Sequence, residues 1–527
     1  MSQTGKTYVI VALLVGLLIG VAAGWVVKPA PTGIVSQEEY DALQGELDTA
    51  QAGLSAAQTD LANAQSDLAD AQADLAAAQT DLATVQGELD TALAGLAIAQ
   101  ADLADAQSDL ATLHQMTKDE VLVEMGLVAR ALKGVGPRDP IESTVTGVVQ
   151  MGGLFAMTGR LATFGENELA AAQLAAGQVN ALLESLGLEW TVEIVVEDTQ
   201  TMPDLCLEAV ESFAGRGIKL LIGPLSSAEV RAIKGYCDAN KILAISQSST
   251  APDLAIEDDY IFRFCPTDKL GQGPAIGRMM YDDGKRYVIP VTSNDAWGVG
   301  LEVAATQRFE ELGGVVLEGI RYVPEAPEFS AEASDLSSKV TSAVDAYGAD
   351  EVCILNIAFE EVTLWFTAAS EYEVLSSVKW YGSDGTAGSG VMLEDPVVSA
   401  FSVMVDYPSP IFAPTESAKW EMVRQNGVDV LGRDPESYSY AVYDVVWAYA
   451  LSVLKADSAD PEAVIEVLPE VSQSFFGASG WIELDEAGDR KAGDYVIWQI
   501  VETAPGECEW QIVGKFILAT DSVEWYI

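Results

Sequence analysis

The hydrophobic pattern of the chain changes twice, and each of its three patterns predicts a different kind of element. Tyr8 to Val27 (YVIVALLVGLLIGVAAGWVV) is uncharged and mostly apolar for 20 residues. A helix of about 20 such residues covers the ~30 Å hydrocarbon core of a bilayer. Tyr8 and Trp25 stand near its two ends, where amphipathic rings favour the interface. The run exceeds the ~7–15 apolar residues of a secretory signal. An uncleaved membrane anchor over residues 8–27 is therefore expected, rather than cleavage near Val21-Ala22-Ala23-Gly24. Lys6 and the α-amino group slightly favour a cytoplasmic N-terminus, which places the rest of the chain outside.

The second pattern has a period of seven. Leu recurs ten times, from Leu47 and Leu54 to Leu103 and Leu110, and an apolar residue follows three positions after each, Ala except at Val85 and Leu113. Leu at a and Ala at d make a continuous 3–4 seam, the signature of a coiled coil, and the strict heptad implies a left-handed supercoil. Residues 43–69 recur as 85–111, an offset of six whole heptads that keeps the seam in phase. The competing reading is a solvated single helix or low-complexity linker, since Gly45, Gly53, Gly87 and Gly95 each cost ~1 kcal/mol against Ala. The register favours a stalk over residues 29–117 through which copies of the chain associate. Residues 118–143 read as a linker.

From Glu142 onward, short β-branched runs alternate with helical stretches. Runs such as Val145–Met151, Leu220–Gly223, Val315–Tyr322 and Val352–Ile357 are interleaved with helical patterns such as Glu166–Leu186, Pro203–Gly215 and Ser227–Asn240. This alternation predicts an α/β fold with parallel sheets. Ligands of such sheets bind at the carboxyl ends of the strands.

Composition narrows the function. The chain has 527 residues, 80 Asp plus Glu, 28 Lys plus Arg, and a net charge of −52. Nucleic acid would be repelled, and no basic patch is present to neutralise it. The single histidine, His114, removes Ser-His-Asp and Cys-His catalysis and histidine zinc sites, and it is read as solvated. The five cysteines have no CxxC or metal spacing. Cys206 and Cys237 lie on consecutive helical stretches and are candidates for pairing, against an equal expectation of free thiols. No metal and no cofactor is expected.

The loops after the strands carry the candidate chemistry. Gly152 to Gly165 is a Gly-rich turn without the GxGxxG or GK[ST] spacing of a phosphate site. Gly223-Pro224-Leu225-Ser226-Ser227 opens a helix, and a helix N-terminus with hydroxyls suits a carboxylate. Ser246-Gln247-Ser248-Ser249-Thr250 is a second hydroxyl cluster at the next strand end.

Taken together, TGRLATFGEN, AAQLAAGQVN, VVEDTQ, KLLIGPLSSAEV, ILAISQSSTAPDL, YIFRFCPTDKLGQGPA, SNDAWGVGL, WYGSDG, YSYAVYDVV and GWIELDEAGDRKAGDYVIWQI resemble the type I periplasmic binding proteins, specifically the Leu/Ile/Val-binding branch that serves ABC transporters. The resemblance spans about 145–500. It implies two Rossmann-like lobes joined by three crossovers, lobe 1 from 144–265 and 408–475 and lobe 2 from 268–403 and 478–527, with the ligand clamped between them. By that likeness Ser227, Ser248 and Thr250 hold a carboxylate, Asp384 holds an ammonium, and Phe164 and Trp297 form aromatic walls with Phe359 as a third side. Asp268 is assigned to the ammonium site or the hinge, and Arg263, Tyr443 and Asp444 to structure. The expected function is that of an extracytoplasmic, membrane-anchored receptor that binds an amino acid or amide and delivers it to an ABC permease. It is not an enzyme, for nothing supplies a base and nucleophile. The alternative is a stalked cell-surface structural, adhesion or assembly protein with a repurposed head. The acidity reads as a solvated surface, with a saline habitat as one explanation.

Overall fold

The computed structural model describes residues 118–491, 493–526 and most positions between 38 and 82. The membrane span 8–27, the heptads beyond Leu82 and His114 lie outside the described residues. Among the described residues no helix is long and apolar enough to cross a membrane. The chain divides into two compact units, residues 1–107 and 108–527. In the first, the described positions between 38 and 82 are helical and exposed.

The second unit is the α/β head. Its first element, α1 (Lys118–Leu132), falls in the stretch expected to be a linker. Val121, Met125 and Ala129 recur at four-residue spacing and are fully buried in the lobe 1 core. The Lys419 ammonium holds Glu124 at 2.7 Å. The linker is thus in part a helix docked on lobe 1.

Lobe 1 follows with β1 (Gly147–Phe155), α2 (Ala162–Ser185), β2 (Trp190–Asp198), α3 (Pro203–Gly215), β3 (Leu220–Ile222), α4 (Ser227–Asn240), β4 (Leu243–Ser246) and β5 (Ile261–Arg263). The strands pair in parallel in the order β2-β1-β3-β4-β5. Gly152 and Gly153 belong to β1 rather than to a turn: a Cβ at Gly152 would stand 2.7 Å from Leu221, so the sequence is Gly-rich because a strand and a helix press on this backbone. Lobe 2 contains α5 (Gln272–Asp282), β6 (Tyr287–Ser293), α6 (Ala296–Leu312), β7 (Val315–Val316), β8 (Ile320–Tyr322), α7 (Ser330–Tyr347), β9 (Val352–Ile357), α8 (Val362–Ala369), β10 (Lys379–Tyr381) and α9 (Pro396–Met404). Its sheet runs β10-β9-β6-β7, with β8 also paired to β6. β9 is buried along its whole length, as a strand covered by helices on both faces must be.

The chain then returns through β11 (Ser409–Phe412) to lobe 1, where α10 (Ala418–Leu431), α11 (Ser437–Ala456) and α12 (Pro461–Ser472) complete the core. Ala478, Ile482 and Leu484 still pack in lobe 1, because the buried Asp444 accepts the Ala478 and Ser479 N–H groups. The return to lobe 2 therefore comes later than the expected boundary at 478. The last strands, β12 (Tyr495–Ala504), β13 (Glu507–Ile517) and β14 (Ser522–Trp525), form an antiparallel sheet with β11. Arg263, at the end of β5, pairs through Nη2 and Nε with the Asp489 carboxylate, Nε at 2.6 Å, and donates to the Ala251 carbonyl at 2.7 Å. This buried pair ties two of the passages between the lobes together.

Candidate functional site

The cleft between the lobes narrows to a small pocket lined by residues of both lobes. Its lobe 1 rim is built by a helix start. The Ser226 hydroxyl accepts the Glu229 N–H while the Glu229 carboxylate accepts the Ser226 N–H at 3.0 Å, a capping box that fixes where α4 begins. Ser227, the first helical residue, thereby lines the cavity with Ser226 and Leu225. Its hydroxyl accepts the Ala251 N–H and the Ser249 hydroxyl, each at 3.1 Å. The Ser248 hydroxyl, also on the cavity, donates to the Leu225 carbonyl at 2.9 Å. These bonds lock the two hydroxyl clusters to each other at a helix N-terminus, where partial positive charge favours an anion.

Thr250 departs from the expectation. It is 1% exposed and does not line the cavity. Its carbonyl accepts the Asp268 N–H at 2.9 Å, which turns the residue toward the crossover behind the wall.

The lobe 2 side carries the acid. Asp384, in the turn after β10, lines the cavity. Its Oδ2 accepts the Tyr438 hydroxyl from lobe 1 at 2.7 Å, and its buried Oδ1 has no partner. Burial above all pushes the Asp384 carboxyl up to about 6. Asp268, fully buried with both oxygens unmatched, is pushed up by burial and then by the charge of Asp384. Asp384 is thus the acid on the cavity wall, and Asp268 lies behind it, where the Arg263 charge partly offsets the rise.

The walls are aromatic. Phe164, Trp297 and Phe359 all line the cavity. Trp297 and Phe359 stack on each other, 4.3 Å between centroids and 9° between planes. The Arg160 guanidinium lies over the outer face of this stack, 5.3 Å from the Phe359 centroid. The structure thus brings together six of the seven residues singled out: Phe164, Ser227, Ser248, Trp297, Phe359 and Asp384. Leu161, Gly385 and Tyr438 complete the lining and are not among the residues the sequence pointed to. Tyr438 sits inside the motif YSYAVYDVV, but its first-turn position on α11 is set by the Glu436 cap, and nothing in the motif says which Tyr faces the cleft. Arg263, Tyr443 and Asp444 are structural as read: the Tyr443 hydroxyl donates to Gln178 at 2.6 Å in the lobe 1 core. Cys206 and Cys237 are buried, free thiols. Among the described residues no group of three or more His, Cys, Asp or Glu is placed to hold a metal.

The comparisons agree with this geometry. The family model described as "Periplasmic binding protein" matches residues 148–505. An uncharacterized protein of Methanocaldococcus jannaschii is 31% identical over 396 residues, covering 72% of this chain and 92% of the relative. The leucine-, isoleucine-, valine-, threonine- and alanine-binding protein of Pseudomonas aeruginosa is 23% identical, over 65% of this chain and 87% of its own. Among solved structures, a leucine-binding protein of Thermotoga maritima superposes with a TM-score of 0.56 at 21% identity, covering 70% of this chain and 98% of that one. A branched-chain amino acid transporter substrate-binding protein of Streptococcus pneumoniae, in complex with isoleucine, also gives 0.56, at 16% identity, over 69% and 99%. Two parallel α/β lobes, a pocket between them and a family match over most of the head lead to one conclusion: the chain belongs to the periplasmic binding protein family, in its type I form, whose members bind solutes and are not enzymes.

Proposed function

We propose that this protein is the extracytoplasmic solute receptor of an ABC transporter, held to the membrane through residues 8–27 and raised on a self-associating coiled-coil stalk. Its head binds an amino acid or a similar small solute by closing two lobes around it. The observation that carries this reading is the polarity of the cavity. Ser227 and Ser248 stand at a helix N-terminus on lobe 1, and Asp384 with its free Oδ1 stands on lobe 2. That arrangement suits a zwitterion, its carboxylate on the hydroxyl rim and its ammonium on Asp384. The relative named for leucine, isoleucine, valine, threonine and alanine binding supports the same class.

Titration calorimetry of the full chain in detergent against the standard amino acids and small amides tests it. Binding of one of them, lost on Asp384→Ala, is expected. No heat with any of them removes the solute-receptor reading. A second reading, a stalked surface protein whose head serves assembly or adhesion, draws support from Leu54, Leu61, Leu68, Leu75 and Leu82, all exposed along one helix. It predicts stalk association with no solute binding. Extraction of the protein from membranes by detergent but not by alkaline carbonate is expected of the anchor.

A further inference from the structure

Lobe closure buries a carboxyl that has no cation of its own. Glu360 precedes α8 on lobe 2 and is 8% exposed. The Thr163 hydroxyl of α2, on lobe 1, donates to its Oε1 at 2.6 Å. The Glu360 N–H donates to the Arg160 carbonyl at 3.3 Å. Both bonds cross the cleft, so opening the lobes breaks them and returns the carboxyl to water.

The charged groups around Glu360 are committed elsewhere. From lobe 1, Arg160 reaches Glu325 at 3.4 Å and Glu361 at 3.7 Å, both on lobe 2. Arg433 pairs with Glu166 at 2.7 Å and donates to Asn167 at 3.1 Å. Asp434 is taken by Arg424 at 2.7 Å. Glu436 caps α11 through the Tyr438 and Ser439 N–H groups. Acids therefore outnumber the guanidiniums at this edge of the cleft, and the Glu360 carboxylate is met by the neutral hydroxyl and N–H of Thr163, with the Arg433 charge helping it least.

We propose that Glu360 is a positioning residue that couples cleft closure to uptake of a proton, so that acid conditions favour the closed, solute-holding form. The proton comes from solvent as the lobes meet and returns to it as they part. A charged carboxylate stripped of water and met only by the neutral groups of one threonine loses more hydration than it regains, whereas the neutral acid loses far less. Burial first, and the Glu361 charge further down the order of causes, push Glu360 up to about 7, against the ordinary 4.5. The sign follows from linkage. The closed form binds the proton more tightly, so closure strengthens as pH falls from the closed-state value toward the open-state one, and it is weakest above the higher value. The total effect is on the order of 100-fold in the closure constant, because each tenfold gain in proton affinity on closing is a tenfold gain in closure once the proton is bound. The inference goes beyond the proposed solute and does not depend on which one binds.

Hydrogen exchange on the ligand-free full chain tests it. Amides of residues 158–166 report closure and are identical in wild type and Glu360→Gln, so the ratio of their rates at each pH cancels intrinsic exchange. The ratio is expected within a few-fold of one at about pH 5 and at least tenfold in favour of the variant's protection at about pH 8. A ratio that does not change with pH overturns the proposal, whatever the calorimetry of the solute shows. Thr163→Val keeps the ionisable group and is expected to retain the pH dependence, read on the lobe 2 amides 358–364. Loss of that dependence in Thr163→Val with its retention in Glu360→Gln also overturns it.

Discussion

Tyr438 and Asp384 join the two lobes across the cleft: the Tyr438 hydroxyl donates to Asp384 Oδ2 at 2.7 Å, leaving Oδ1 as the acceptor without a partner. One contact thus fixes the acid's orientation and bridges the lobes. On the proposed function, Asp384→Ala removes both the proposed ammonium receptor and the bridge. Truncating one side of a buried charge pair costs roughly 2–5 kcal/mol, so solute affinity is expected to fall at least about 30-fold by calorimetry. Tyr438→Phe removes only the bridge and is expected to cost about tenfold.

Ser227 and Thr250 separate the cavity wall from the layer behind it. Ser227 lines the cavity, and its hydroxyl ties α4 to the loop at Ser249 and Ala251. Thr250 does not line it. Ser227→Ala is expected to weaken solute binding by about tenfold, while Thr250→Ala stays within about threefold. Equal losses in the two variants would return Thr250 to the solute.

The Arg263–Asp489 pair governs stability more than binding. Both side chains are buried and bonded to each other, so removing one leaves an uncompensated charge inside. Arg263→Ala is expected to destabilise the head by about 3–5 kcal/mol, read from the guanidinium midpoint. Replacing both residues with apolar ones of similar size is expected to cost much less than the single change.

Much of the head was legible because its pattern is local. Val352–Ile357, Pro203–Gly215 and Ser227–Asn240 fold over the residues expected of them, since an unbroken β-branched run, a Pro at the helix start and a capping box are local signals. The Val315–Tyr322 run splits into β7 and β8, where Gly319 passes against the Pro290 carbonyl and a Cβ would come within 2.3 Å of it. The antiparallel sheet β11–β14 was not foreseen, because β11 precedes its partner β12 by three helices. The docking of α1 was missed for a similar reason: its buried face meets α2 and α11, distant in sequence. At the site, the residues at strand ends were readable, but Tyr438 enters from a helix whose rotation only packing sets.

Burial makes Glu436 a pH-sensitive cap. Its carboxylate accepts the Tyr438 and Ser439 N–H groups at the start of α11, and burial pushes it up to about 7. A carboxyl raised in the folded state stabilises below its unfolded value, and the contribution is lost as pH rises through the folded value. The melting temperature is therefore expected to rise between about pH 8 and pH 5. Glu436→Gln, which still accepts the cap bonds, is expected to flatten part of that rise. An unchanged slope would show that Glu436 stays ionised.

The stalk seam predicts both association and its direction. Leu54, Leu61, Leu68, Leu75 and Leu82 share one helix face, with exposure running from 41% to 64%. Packing alone favours antiparallel copies, which set each Leu layer against an Ala layer, whereas parallel copies stack Leu on Leu and Ala on Ala. Charge favours the opposite choice. Asp60 and Asp67 stand at g, and Gln58 and Gln65 at e. In parallel pairs g faces e, so Asp meets Gln; in antiparallel pairs g faces g, and acid meets acid in most heptads, Gly53 and Gly95 excepted. With no Lys or Arg in residues 29–117 to relieve it, that repulsion recurs in most heptads, and parallel association is the expected outcome at ordinary ionic strength. High salt screens exposed charges and is expected to bring antiparallel forms in. A cysteine placed at Leu68 is expected to cross-link to its own counterpart in parallel, in-register copies. Leu61→Glu with Leu68→Glu is expected to give monomers by sedimentation while leaving solute binding in place. Monomeric wild type at micromolar concentration would mean that the seam lies against solvent and the stalk is a single helix.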